Sequence, residues 1–410
     1  MMPEPGSPQR PGPPVPPRRP GQPARACRLL LVVGTSTGGV GNHVRAVAAG
    51  LVARGHQVRI AAPAETARQF AFADTGALVR RVQIADRPRP VADARAVGEL
   101  RRLAAGGDVV HAHGLRAGAL AALALALAGK HRGVLVVTLH NAAPQGGFAR
   151  LTYAVLERLV AARADLVLTV SADLGDRMRR LGADLVEHAH VPAPPGPAGD
   201  RDALQVRREL GAESRPVVLT VARLAEQKGL PLLLDAAGAL AVDHGTASEG
   251  IPLFVVAGDG PMYLELTERI AREHLPVRLL GRRTDVADLL GAADLFVLAS
   301  VWEGQPLVLQ EALRAGVPIV ATDVGGVRAV VGDAAVLVPP ADPVALARAV
   351  TGVLSDAHTA SDLRERALRR AAELPTEADV ITQLTTAYDR LRAVPPHRRA
   401  GAGEPAGTGG

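Results

Sequence analysis

Short runs of Val, Leu and Ala alternate along the chain with longer amphipathic stretches, and the alternation occurs twice. Apolar runs without polar interruption read as strands buried on both faces, and the amphipathic stretches between them as covering helices. That order is the sequence form of a parallel, doubly wound α/β sheet. In the first half, strands are predicted at Arg28 to Val33, His56 to Ala61, Asp108 to His111, Val134 to Thr138 and Leu166 to Val170. A glycine-rich turn spans Gly34 to Gly41, and a helix from Asn42 to Arg54 is stopped by Gly55, a residue suited to the left-handed position after a helix.

The second half repeats the pattern, with strands predicted at Pro216 to Val221, Pro252 to Ala257, Val277 to Leu280, Asp294 to Leu298, Pro318 to Ala321 and Ala335 to Val338. Between the halves, Pro192, Pro194, Pro195, Gly196 and Pro197 exclude helix interior or central strand and mark a linker. The expected organisation is a Pro/Arg-rich tail over 1–26, a first domain over 27–191, a linker over 192–200 and a second domain over 201–375. A last helix over 376–393 is expected to cross back to the first domain, followed by a Gly/Pro-rich tail over 394–410. Two doubly wound domains face each other across a cleft in this reading, and 410 residues suit two cores better than one.

Composition narrows the function. Hydrophobic residues make up 48% and charged residues 21%, so the chain can bury large cores. Aromatics are only 2%, which leaves few stacking platforms for bases, and no nucleic-acid partner is expected. The formal charge of +6 fits anionic substrates or an anionic membrane surface, with basic tails contributing much of it. The single cysteine, Cys27, excludes an internal disulfide framework and a cysteine metal cage, as in a reducing compartment. Residues 1–26 lack the apolar core of a secretory signal, and the apolar run Ala117 to Gly129 is too short to span a bilayer, so it reads as a buried helix. A cytoplasmic protein is expected, with peripheral contact at the inner membrane face left open, as is the oligomeric state.

Ligands of open parallel sheets bind beyond the carboxyl ends of the strands, and the unusual residues fall there. The turn containing Gly34, Gly38, Gly39 and Gly41 would let a phosphate approach free backbone N–H groups. It fails as a nicotinamide fingerprint: Ser36 stands where a second Gly is expected, and the next strand ends in Ala61 and Ala62 without a ribose-binding carboxylate. Arg223 and Lys228 follow a second-domain strand and place two cations at one strand-to-helix turn, which suits a diphosphate. Glu303 and Glu311 lie in the segment Ser300 to Pro318, the first in a loop and the second at an otherwise apolar helix start. There a carboxylate has to be paired or hydrogen-bonded to a ligand.

That segment resembles the paired-glutamate signature of the retaining glycosyltransferases of family 4, which have the GT-B fold of two Rossmann-like α/β domains. The resemblance extends from about Arg28 to Arg392. It includes, in order, Gly38, Gly39 and Gly41 with His43; Arg223 with Lys228 and Gly229; Gly258, Asp259, Gly260 and Pro261; Glu303 to Glu311; and Thr322 to Gly326. It implies that Arg223 and Lys228 hold the donor diphosphate, Glu311 bonds the ribose hydroxyls, and Glu303 contacts the transferred sugar. Gly38, Gly39, Gly258, Gly304, Gln305 and Leu307 complete the donor site, and Gly281 and Arg282 approach the base. His140 matches a first-domain histidine facing sugar and acceptor, with His43, His113 and Asn141 on the acceptor side; His111 and His113 are each equally suited to the cleft or to a structural role. Gln305, where an apolar residue is frequent, and Ala329, where Glu is frequent, depart from the family pattern and bear on donor specificity.

The resemblance further implies retention of configuration, a nucleotide-sugar donor as co-substrate, a hydroxyl-bearing acceptor and no required cofactor. No metal is expected, because the pair Asp200 and Asp202 sits in the linker region and reads as a helix start. UDP-linked hexoses and GDP-mannose both fit the motifs. Nucleotide-sugar epimerases, phosphorylases, inverting transferases and noncatalytic sugar-nucleotide binders use similar folds; the intact cation and glutamate sets favour transfer.

Overall fold

The computed structural model describes residues 26–36, 38–129, 133–141, 147–194, 196, 199–243 and 250–394. The tails expected at 1–26 and 394–410 lie outside the described residues except for Ala26 and Val394, as do Thr37 of the glycine turn and Pro195 and Pro197 of the linker. The first sheet has seven parallel strands, β1 (Arg28–Val33), β2 (Gln57–Ala62), β3 (Leu78–Arg81), β4 (Val109–His113), β5 (Val134–Leu139), β6 (Leu166–Thr169) and β7 (Val186–His188), in the order β3-β2-β1-β4-β5-β6-β7. The second has six, β8 (Val217–Val221), β9 (Leu253–Ala257), β10 (Val277–Gly281), β11 (Leu295–Leu298), β12 (Ile319–Thr322) and β13 (Val336–Val338), in the order β10-β9-β8-β11-β12-β13. Both orders reverse direction beside the first strand of their sheet, at β1/β4 and β8/β11. These are the switch points where doubly wound sheets open a crevice for ligands.

The expected strands are present within one or two residues. The two edge strands of the first sheet, β3 and β7, were not anticipated: Leu78–Arg81 ends in two arginines and Val186–His188 is three residues long with a polar half. An edge strand is buried on one side only, so its residues do not form the apolar run that marks a central strand. Central strands do: β4, β5, β9 and β11 are buried at every position. Gly55 stands at φ +83 after helix Gly39–Ala53 and stops it as read from the sequence. The apolar run after Gly114 forms helix Leu115–Ala126 in the core. No helix among the described residues is long and apolar enough to cross a membrane.

Helix Glu377–Ala393 begins on a capping box between Thr376 and Asp379. It packs into the core of the first domain, where Val380, Ile381, Leu384, Ala387, Tyr388 and Leu391 join the apolar cluster of β1, β2, β4 and β5. The approach is close: a Cβ on Gly50 would lie 2.6 Å from Ile381 Cγ1, so only glycine fits at that crossing. The Tyr388 hydroxyl is hydrogen-bonded to His111 Nδ1 at 2.6 Å, and His111 Nε2 to Thr138 Oγ1 at 2.7 Å, which satisfies a polar trio inside the sheet. His111 therefore belongs to the core, and burial lowers its pKa from 6.5 to about 3.

Two outcomes follow from this trio. Tyr388→Phe leaves a buried imidazole nitrogen without its partner and should lower the unfolding free energy by about 1–3 kcal/mol, read from the chemical denaturation midpoint; an unchanged midpoint contradicts the bond. Unfolded histidines take up protons as pH falls through 6.5, whereas folded His111 stays neutral until about 3. In that window the unfolded chain binds more protons, so stability is full above pH 6.5 and falls with decreasing pH. Denaturation midpoints at pH 7.5 and 5.5 should show the loss before carboxylates titrate, with the buried His43, His113 and His140 adding to it; equal midpoints would mean that these histidines are not held neutral.

Candidate active site

The first-domain wall of the cleft is built at the carboxyl ends of β1, β4 and β5. Helix Gly39–Ala53 starts at Gly38 with no side-chain cap and no acidic residue in its first turn, so its N-terminal dipole carries no protein counter-charge. Gly41 is required by packing, because a Cβ there would lie 2.2 Å from the Phe70 ring. His43 on this helix, His113 at the end of β4 and His140 just after β5 converge. The His43 ring makes edge contacts with both others, at centroid distances of 5.6 and 5.5 Å, and His113 Nδ1 lies 3.3 Å from His140 Nε2. All three are buried. Burial lowers the pKa of His43 to about 4 and those of His113 and His140 well below 6.5, with the neighbouring imidazoles adding repulsion for the latter two. The wall is therefore uncharged at neutral pH. His113 Nε2 is buried without a hydrogen-bond partner, a polar atom left for something else. Ring nitrogens of the three lie within 4.8 Å of one another, the geometry among the described residues that could hold an imidazole-preferring divalent ion.

The second-domain wall is charged. Lys228, in a short 3-10 turn after β8, places Nζ 2.6 Å from Glu303 Oε1 in the loop after β11. The side chains are 23% and 6% exposed, and Ser300 Oγ donates to the same carboxylate oxygen at 2.6 Å. Glycines bring these loops together: Gly229 has φ +60, and a Cβ there would lie 1.9 Å from the Ala299 carbonyl oxygen. Gly258, at φ +150, lies against the Ala222 carbonyl, and Gly325, at φ +52, against that of Glu303. The Gly326 N–H donates to the Glu303 carbonyl at 2.9 Å, which fixes the loop from a second side.

Among the predicted donor and acceptor residues, Gly38, Gly39, His113, His140, Asn141 and Arg223 line one cleft with about 450 Å³ of interior space, together with Tyr153 and Gln227. Arg223 is exposed in it and free of side-chain partners among the described residues. Glu311, on helix Leu307–Arg314, is half-buried without a hydrogen-bond partner among the described residues, and desolvation raises its pKa while Arg314 opposes the rise. Arg282 is exposed beyond β10. A Cβ on Gly304 would lie 2.6 Å from Val170 Cγ2 and 3.0 Å from the His140 carbonyl oxygen, so the loop of Glu303 abuts the first domain. Leu307 packs across the cleft on Gly39. The Gln305 side chain is engaged elsewhere: its Oε1 accepts from Val191 N–H at 2.8 Å, and its Nε2 contacts His188 Nε2 and the Ala189 carbonyl. It ties the loop to the crossover between the domains. Gln310 and Arg314 make similar bonds to Val191, Ala193 and Pro194. Three features were not read from the sequence: the meeting of the histidines, the Lys228 to Glu303 pair, and a bond from Trp302 Nε1 to Asp173 Oδ2 at 2.9 Å between the domains. All join residues remote in sequence, and periodicity carries no signal for them.

Two family profiles match the chain: the one described as Glycosyl transferase 4-like domain over residues 38–194, and Glycosyl transferases group 1 over 215–356. The chain is 30% identical over 309 residues to alpha-D-kanosaminyltransferase of Streptomyces kanamyceticus, covering 70% of this chain and 77% of that one. It is 30% identical over 381 residues to phosphatidyl-myo-inositol mannosyltransferase of Mycobacterium leprae, covering 86% and 93%. In fold it is similar to HepE of Anabaena in complex with UDP, with a TM-score of 0.74 at 22% identity over 88% of this chain and 100% of that one. With matched profiles in both halves, relatives over most of its length and two facing doubly wound domains, the chain belongs to the group 1 glycosyltransferases, the family 4 type with the GT-B fold.

Proposed function

We propose that the protein transfers a hexose-type sugar from a UDP-sugar, with retention of anomeric configuration, to a hydroxyl of a cell-envelope lipid, a polysaccharide precursor or a small molecule. The observation that carries the reading is the cleft that His113 and His140 line from the first domain and Arg223 from the second, with the Lys228 and Glu303 pair beside it in the loops after β8 and β11. In the reaction, the bond from the anomeric carbon to the β-phosphate oxygen breaks and a bond to the acceptor oxygen forms. The acceptor proton passes to the departing phosphate. Negative charge grows on the diphosphate, and Arg223 and Lys228 stabilise it as it develops. Glu303, held by Ser300 and Lys228, meets hydroxyls of the transferred sugar. Glu311 has a partly desolvated carboxylate with no side-chain partner among the described residues, and the two ribose hydroxyls are donors that would offset its burial. His140, neutral through burial, meets sugar and acceptor as a hydrogen-bonding group, with His43, His113 and Asn141 behind it on the acceptor side.

UDP is favoured over GDP because HepE of Anabaena is described with UDP and with UDP-glucose. A relative from Escherichia coli, 30% identical over 232 residues, is named as a UDP-Gal-dependent galactosyltransferase. The reaction as proposed requires no cofactor beyond the nucleotide-sugar co-substrate. Peripheral contact with the inner face of the membrane is supported by Leu151 and Val155, exposed one turn apart on helix Gly147–Arg163 and flanked by the exposed Arg150 and Arg158.

Thermal shift and donor hydrolysis across UDP-glucose, UDP-galactose, UDP-N-acetylglucosamine and GDP-mannose test the reading. One donor should stabilise the protein, by about 2.7 kcal/mol at a hundredfold excess over Kd, and be slowly hydrolysed. Lys228→Ala should reduce turnover on the order of 10²–10³-fold, and Glu311→Ala should raise the donor KM by roughly 10–100-fold through loss of bonds to a charged acceptor. Stabilisation by no donor, or full activity in both variants, refutes the proposal. Sedimentation with anionic vesicles tests the membrane contact, which Leu151→Asp should abolish.

A further inference from the structure

We propose that Trp302 and Asp173 are a positioning pair that sets Glu303 for transfer by tying its loop to the body of the first domain. The inference rests on the reading of Glu303 as the residue that meets the transferred sugar. Trp302 immediately precedes Glu303. Its backbone is held by the second domain alone: Val301 N–H donates to the Gln227 carbonyl, and Gln227 Nε2 donates to the Trp302 carbonyl, each at 2.8 Å. Its side chain faces the other way. The indole packs against the apolar core of the first domain, and Nε1–H donates to Asp173 Oδ2 at 2.9 Å.

Asp173 lies in the first turn of helix Ala172–Arg180, which follows β6, so it moves with the first sheet. The other side-chain bonds from this part of the second domain, those of Gln305, Gln310 and Arg314, end on residues 188–194, the end of β7 and the crossover that follows it. Among the described residues, the Trp302 bond is therefore the side-chain hydrogen bond that carries the Glu303 loop onto a helix of the first domain, on the side of the loop away from the Gln305 bonds. It sits where tolerance is smallest. Gly304 abuts Val170 and the His140 carbonyl, and Gly325 approaches the indole so closely that a Cβ there would lie 3.1 Å from Trp302 Nε1. A rigid indole anchored at its far end fixes the backbone of the next residue, and with it the distance from Glu303 to the histidine wall. A displacement of about 1 Å in a reacting constellation can cost about a hundredfold in rate. Arg223 and Glu311 share none of these contacts, and Lys228 meets the loop only through Glu303 and the neighbouring Gln227, so the pair acts on turnover more than on donor affinity.

The experiment uses the full chain and the variants Asp173→Ala, Asp173→Asn and Trp302→Phe, with the donor found by thermal shift. Asp173→Ala and Trp302→Phe should lower kcat for transfer roughly ten- to hundredfold while donor KM stays within about twofold. Donor hydrolysis should fall less, so the ratio of hydrolysis to transfer rises. Asp173→Asn keeps an oxygen acceptor in the same place and should restore most of kcat. Trp302 is the sole tryptophan, so its emission reports the contact without any turnover: Asp173→Ala should shift it to the red, both alone and with UDP bound. An Asp173→Ala enzyme with wild-type kcat, or one whose loss Asp173→Asn does not relieve, overturns the pairing. If wild-type protein binds no UDP and turns over no donor, the parent reading fails, and this inference fails with it.

Discussion

The ion pair between Lys228 and Glu303 is the constraint around which the second domain is arranged. Two charges largely removed from water cost several kcal/mol each in hydration, which their attraction repays only with good geometry and extra hydrogen bonds. Here the repayment comes from Ser300 on the carboxylate and from loops locked by glycine contacts on either side. Lys228 follows β8 and Glu303 follows β11, neighbouring strands at the switch point of the sheet. The pair can form only if the two loops approach at backbone distance, which explains why Gly229 occupies a position where a side chain has no room; Gly258 and Gly325 bring the loops after β9 and β12 as close to Ala222 and Glu303. The two charges are thereby set in place by the fold itself.

The opposite wall follows another physical rule. His43, His113 and His140 are packed against one another with little water, and none can hold a proton near neutral pH. A neutral imidazole offers one donor and one acceptor and carries no charge. The first-domain side of the cleft is thus neutral and polar, while the second domain brings the exposed Arg223 to it. The two walls are held in register by side chains that cross between domains, Gln305 to the crossover and Trp302 to Asp173.

Much of this was legible in the sequence because central strands of a parallel sheet are buried on both faces and stand out as apolar runs. Every such strand was read within a residue or two. The edges were not: Leu78–Arg81 and Val186–His188 carry polar residues because one flank is open to water. The site was legible as a set of motifs, each at the end of a strand, because topology dictates that place for ligands. What the motifs did not give was pairing. Lys228 and Glu303 lie 75 positions apart, and Trp302 and Asp173 lie 129 apart. Gln305 illustrates the difference: its departure from the family pattern was visible, but its role in holding the crossover depended on His188, Ala189 and Val191 being brought beside it.

Helix Glu377–Ala393 completes the core of the first domain although the second domain lies between them in sequence. On the ribosome, therefore, the usual order of N-terminal domain before C-terminal domain is inverted. The first sheet emerges early, but Ile381, Leu384 and Tyr388 arrive only after roughly 200 further residues, a delay on the order of 10–40 s at bacterial and eukaryotic elongation rates. During that interval the surface beside Gly50 and His111 stays uncovered, while the second sheet, whose cores lie wholly within 206–374, can already close. The second domain can close before the first is finished, and the last helix both completes the first domain and commits the two halves to one molecule.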